Sequence, residues 1–135
     1  MSNNYKILVV DDDYKLRPLI IRSLEDNLGD EYSFLEASNG EKALDKINKE
    51  NINLIISDTR MPNIDGYELF EKIRKNSNLD NTDFIAMSND IYFLRTWDKK
   101  YGKSSEYGER GIEGTIDKSY DIPDKLCELI EKLNQ

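Results

Sequence analysis

The chain has 135 residues and a net charge of −8, with 27 acidic against 19 basic side chains, which argues against a surface that tracks the phosphates of a nucleic acid. Its length suits one domain with one core, and 38% hydrophobic against 34% charged residues suits a well-solvated globular protein. No apolar run approaches the roughly 20 residues of a membrane-spanning helix, and MSNNYKILVV lacks the basic start and cleavage site of a leader, so a cytoplasmic protein without membrane insertion is expected.

Strand-like and helix-like patterns alternate along the chain. YKILVV (5–10) is a continuous apolar run, as a strand buried on both faces requires. Residues 14–28 repeat at helical spacing through Leu16, Leu19, Ile20, Leu24 and Leu28, with Pro18 near the first turns, where a missing N–H costs least. YSFLEA (32–37) is a second strand, and after Ser38-Asn39-Gly40 a helix carries Ala43, Leu44 and Ile47. INLIIS (52–57) is a third strand, followed by a helix over about 65–75 with Leu69, Phe70 and Ile73 on one face and Asp65 as its cap.

DFIAMS (83–88) is the fourth strand and GTIDK (114–118) a short fifth. A last helix over about 122–134 carries Ile122, Leu126, Leu129, Ile130 and Leu133. Five βα units in tandem predict an α/β fold, a doubly wound parallel sheet with helices on both faces. There is no linker or repeat, so residues 1–135 read as one domain without an output domain.

There is no histidine, which removes Ser-His and Cys-His catalysis and histidine-bound metals, and the single cysteine, Cys127, reads as structural. Carboxylates, lysines and hydroxyls must carry the chemistry. In an open parallel sheet, functional groups gather at the carboxyl ends of the strands. Those ends are Asp11-Asp12-Asp13, Asp58, Ser88 and Lys118, with Asp13 expected to cap the first helix. Crowded carboxylates repel unless a cation joins them, and a hard divalent ion such as Mg²⁺ suits oxygen ligands. A lysine and a hydroxyl opposite them suit a phosphoryl group.

ILVVDDD, LIISDTRMPNIDGYEL, IAMS and GTIDKS, in this order, resemble the receiver domain of two-component response regulators along nearly the whole chain. The resemblance implies a flavodoxin-like (βα)5 sheet in the order 2-1-3-4-5. It further implies Asp58 as phospho-acceptor, Asp11, Asp12, Asp58 and the backbone carbonyl of Arg60 as Mg²⁺ ligands, Ser88 on the phosphoryl group and Lys118 paired with it. The implied donor is a sensor histidine kinase or phosphotransfer protein. The implied chemistry is phospho-acceptance, with at most self-phosphorylation from small donors and self-dephosphorylation, not catalysis on a separate substrate. Pro62 and Gly66 are expected to shape the loop after the acceptor. The Arg60 side chain is expected to point to solvent, with screening of the acyl phosphate as the alternative.

Three features depart from that family's pattern. Ser119 stands where a proline after a cis bond is usual, so the Lys118–Ser119 bond is either trans or strained. Thr115 stands where an aromatic switch residue is usual. The stretch of about 89–113 is long and holds Tyr92, Phe93, Trp97, Tyr101 and Tyr107, read as local packing or, alternatively, as a surface for a partner. Two rival functions follow: a degenerate receiver acting as a phosphorylation-independent protein-binding platform, and a haloacid-dehalogenase-type phosphatase with Asp11 as nucleophile, which lacks its further acidic motif here.

Overall fold

The computed structural model describes residues 4–135; the first three, part of the stretch read above for a leader, lie outside the described residues. Five strands, β1 (Tyr5–Val10), β2 (Tyr32–Ala37), β3 (Leu54–Asp58), β4 (Asp83–Ser88) and β5 (Gly114–Asp117), alternate with helices α1 (Leu16–Asn27), α2 (Gly40–Lys49), α3 (Gly66–Lys75), α4 (Ile91–Tyr101) and α5 (Asp124–Leu133). All strand pairs are parallel, and the sheet order is β2-β1-β3-β4-β5. The fold is a five-stranded, flavodoxin-like sheet in the order that the resemblance implied.

Side chains alternate across a strand, so an uninterrupted apolar run supplies two cores at once. Leu8, Val10, Ile55, Phe84 and Ala86 face one core, shared with Ala43, Ile47, Leu69, Phe70 and Ile73 of α2 and α3 and with Trp97 of α4. Ile7, Val9, Leu54, Ile56, Ile85 and Met87 face the other, shared with α1 and α5. Burying each such aliphatic side chain contributes roughly 1.5–3 kcal/mol. Cys127 packs in the second core as a free thiol.

The third strand runs from 54 to 58 rather than 52 to 57, because Asn53 serves as a bracket, receiving the Lys6 N–H on its side chain (2.8 Å) and donating its own N–H to the Lys6 carbonyl (2.9 Å). The first and last helices are shorter than their apolar spacing suggests. Asp13 still serves the first, since one carboxylate oxygen accepts both the Lys15 and Leu16 N–H groups at 3.0 Å. Asp65 caps α3 as expected, accepting the Glu68 N–H at 3.0 Å.

Of the aromatics of 89–113, Trp97, Tyr101 and Tyr107 pack into or against the core, whereas Tyr92 is exposed. Trp97 is 0% and Tyr101 1% exposed. Trp97 stacks on Tyr67 at 4.4 Å and on Phe84 at 5.9 Å, while Tyr107 meets Phe70 edge-on at 5.2 Å. Such ring pairs prefer offset or edge contacts and add about 0.5–1.5 kcal/mol beyond their buried area. The long segment thus closes the α3–α4 side of the sheet. In this helix the large hydrophobic side chains that are exposed are Ile91 and Tyr92 at its start.

Candidate phosphoryl-acceptor site

The sheet order places the carboxyl ends of β1, β3, β4 and β5 side by side, and their last residues converge. Asp11 follows β1, is fully buried and is anchored by its backbone: its N–H donates to the Ala37 carbonyl (3.1 Å), and its own carbonyl accepts from Arg17 Nη1 (2.7 Å). One Asp11 oxygen accepts the Asp13 N–H at 3.0 Å; the other is 2.7 Å from Lys118 Nζ. Asp58 ends β3, accepts the Thr59 N–H at 2.9 Å on Oδ1, and lies 3.2 Å from Lys118 Nζ through Oδ2. Lys118, its side chain only 6% exposed, therefore bridges the two carboxylates.

Burial pushes the Asp58 carboxyl up to about 6, opposed by Lys118 and reinforced by the neighbouring charge of Asp11. Burial acts to lower the Lys118 ammonium, but hydrogen bonding and charge from Asp11 and Asp58 outweigh it and hold the group above its usual value. Asp12 is exposed beside them, and oxygens of Asp11, Asp12 and Asp58 all lie within 4.8 Å of one another. Three carboxylates with one ammonium leave an excess of negative charge, and an all-oxygen donor set of this kind fits a hard divalent cation. The residues that would hold Mg²⁺ are Asp11, Asp12 and Asp58.

Asp58, Ser88, Lys118, Arg60, Asn89 and Asp90 line one cavity of about 210 Å³. Ser88 is buried, and its Oγ accepts the Asp90 N–H at 3.0 Å, which leaves the hydroxyl proton free to donate. Gly66 is needed where α3 starts: a Cβ there would come within 2.6 Å of the Asp58 carbonyl oxygen and 2.9 Å of Thr59 Cα. Asp11, Asp12, Asp58, Ser88 and Lys118 are thus brought together, while Asp13 serves the start of α1.

Sequence reasoning missed how Lys118 is held without the usual proline. The Lys118–Ser119 bond is trans; among the described residues the cis peptide is Ile122–Pro123. Lys118 N–H donates to the Ser88 carbonyl (3.0 Å), and the Asp117 carboxylate accepts the Ser119 N–H at 2.8 Å. Asp121 in turn accepts the Asp117 N–H at 2.9 Å. The run Asp117-x-Ser119-x-Asp121 is an aspartate-led turn signal that could have found it. Arg60 is exposed, as expected, and its guanidinium also lies over the Phe93 ring. An Asp90 cap on α4 was also readable, since Asp directly before a helical run is a common N-cap.

The model for the response regulator receiver domain matches residues 7–131. This chain is a response regulator receiver domain. It is 32% identical over 130 residues, 96% of its length, to the probable transcriptional regulator ycf29 of Pyropia yezoensis, of which the match covers 53%. It is 40% identical over 74 residues to the transcriptional regulatory protein ResD of Bacillus subtilis, covering 55% of this chain and 30% of ResD. The receiver thus spans about half or less of these curated relatives. Among solved structures, the response regulator TrrA of Thermotoga maritima in complex with Mg²⁺ and BeF is 30% identical, with a TM-score of 0.73, covering 96% of this chain and 98% of TrrA. The chemotaxis response regulator CheY4 of Vibrio cholerae is 26% identical with the same TM-score, covering 96% and 98%.

Proposed function

We propose that this receiver takes a phosphoryl group onto Asp58 from a phosphohistidine of a sensor kinase or phosphotransfer protein, in the cytoplasm, and thereby switches its protein contacts. The observation that carries this reading is Lys118 bridging Asp11 and Asp58, at 2.7 and 3.2 Å, in the lining of the cavity that Ser88 shares. An Asp58 oxygen attacks phosphorus in line, the new O–P bond forms as the N–P bond of the donor breaks, and the nitrogen keeps the electron pair and is protonated. Lys118 and the Ser88 hydroxyl stabilise the charge on the transferred oxygens, and Asp11 keeps Lys118 aimed at them. When bound by Asp11, Asp12, Asp58 and the Arg60 carbonyl, Mg²⁺ supplies charge neutralisation and favours the ionised Asp58.

The domain is not proposed to act on any other substrate; small phosphodonors and water are the only further reactants. Intact-mass spectrometry after incubation with acetyl phosphate tests this, with and without Mg²⁺, on wild type and Asp58→Asn. One phosphoryl addition that needs both Mg²⁺ and Asp58 is expected. No addition, with beryllofluoride also failing to bind, would favour the phosphorylation-independent platform.

A further inference from the structure

The Arg60 guanidinium lies 3.7 Å from the centre of the Phe93 ring, and its Nη2 is 4.0 Å from the Asp90 carboxylate. Arg60 follows the acceptor by two residues, whereas Asp90 and Phe93 belong to the start of α4. Asp90 is tied in two further ways. Its N–H donates to Ser88 Oγ at 3.0 Å, and its carboxylate accepts the Tyr92 N–H at 2.9 Å, capping the helix. Arg60, Asp90, Ser88 and Asp58 also share one cavity. One exposed side chain therefore joins the acceptor cavity to the first turn of α4.

The ion pair that helps to hold Arg60 is weak. The side chains of Arg60 and Asp90 are 66% and 45% exposed, so water and salt screen the pair, and the separation is too long for a hydrogen bond. A phosphoryl group on Asp58 would bring nearly two negative charges into the same cavity. A guanidinium favours such a group over a lone distant carboxylate, because its paired N–H donors match neighbouring oxygens.

We propose that Arg60 is a phosphorylation-operated latch on α4: the phosphoryl group draws its guanidinium off Phe93 and Asp90 and frees the first helical turn. The released turn presents Phe93 beside Ile91 and Tyr92, which are already 49% and 74% exposed. Arg60 is a positioning residue, acting through Phe93 and Asp90. Thr115 on β5 leaves no aromatic ring at that position to carry the signal, whereas Arg60 spans the gap from the acceptor loop to α4 directly. The latch rests on Asp58 being the acceptor. A partner that holds the freed turn would, by linkage, favour the phosphorylated form.

The test follows backbone amide shifts of residues 89–94 in the full chain, with Mg²⁺, before and after acetyl phosphate, with phosphoryl occupancy read by intact mass. Wild type, Arg60→Gln, Arg60→Lys and Phe93→Leu are compared. Phe93→Leu is expected to gain one phosphoryl group as wild type does, and the shifts of every variant are compared at matched occupancy. The Asp90–Phe93 amides should move in wild type and less than half as far in Arg60→Gln and Phe93→Leu. Arg60→Lys, which keeps the charge without the flat stacking surface, should restore part of the response. An equal response in Arg60→Gln at equal occupancy overturns the latch and leaves the acceptor standing. Loss of the adduct in Arg60→Gln alone, which keeps the backbone carbonyl, also overturns it, because the guanidinium would then act in the transfer itself. No adduct on wild type removes the acceptor and the latch together.

Discussion

Arg74 on α3 and Arg110 in the long segment clasp each other's backbone: Arg74 Nε donates to the Arg110 carbonyl at 2.6 Å, and Arg110 Nη2 donates back to the Arg74 carbonyl. Arg74 is only 6% exposed and also donates to the carbonyls of Leu79 (3.1 Å) and Thr82 (2.8 Å). A rigid, multi-donor fork suits a site where several buried carbonyls need partners. Arg110 additionally pairs with Asp80 at 3.1 Å, at the surface. The clasp pins the segment after α4 to the loop before β4.

Replacing Arg74 by alanine removes the side-chain donors to the Arg110 and Thr82 carbonyls, while the Leu79 carbonyl keeps the Thr82 N–H at 3.0 Å. The expected loss is about 3 kcal/mol of unfolding free energy, measured by urea denaturation. Arg110→Ala, whose side chain is half exposed, should cost clearly less. Equal effects would mean that the Asp80–Arg110 pair, not Arg74, holds the segment.

Gly66→Ala forces a Cβ against the Asp58 carbonyl, Thr59 and Trp97 Cζ2. Because two of these neighbours are backbone, relief requires moving the acceptor loop itself. About 2–3 kcal/mol of stability should be lost. The rate of phosphoryl uptake from acetyl phosphate should also fall, which a stability effect elsewhere in the core would not produce in the folded fraction.

The surplus of carboxylates in the acceptor site makes ionised Asp58 a liability when no cation is added. Its carboxyl is raised to about 6, so the stabilisation from its neutral form is full below the unfolded value near 3.8 and is lost as pH rises through about 6. In EDTA at pH 7.5, Asp58→Asn should therefore melt above wild type, by about 1–2 kcal/mol in stability after allowing for solvent screening. Added Mg²⁺ should raise the melting temperature of wild type and much less that of Asp58→Asn. A mutant that melts below wild type in EDTA would mean that the Lys118 pair dominates.

A second pH response is expected at the opposite end of the sheet. Burial, followed by the charge and hydrogen bonding of Glu113, raises the Asp83 carboxyl to about 6, against Lys103 and Arg74, which act to lower it. Lys103 Nζ in turn lies 2.8 Å from Glu113 Oε1, and the buried Tyr5 hydroxyl is raised by burial and by Asp83. Asp83 is a raised acid, so its contribution is full near pH 4 and lost as pH rises through about 6. Asp83→Asn should match wild type near pH 4. At pH 8 it should gain about 1 kcal/mol, discounted for partial exposure. Thermal melts across that range, with a flatter profile in the mutant, would show it.

The sheet was legible in the sequence because a strand buried on both faces must be apolar at every position, and a run such as YKILVV is compatible with little else. The convergence of the candidate site residues was legible for a related reason. A carboxylate, hydroxyl or lysine that ends such a run must lie at the edge of the core, and the parallel order brings those edges together. Tertiary packing alone decided the rest. Leu94, Trp97 and Tyr101 recur at helical spacing and so share a face, but only the fold brings Tyr67, Phe70 and Phe84, distant in sequence, onto that face. Arginine is ordinarily a surface residue, so neither the buried fork of Arg74 nor the stacking of Arg60 on Phe93 could be read from neighbours along the chain. Local pattern determines which residues end a strand, whereas the partner of a long, flexible cation is chosen only when the fold brings carbonyls or rings within its reach.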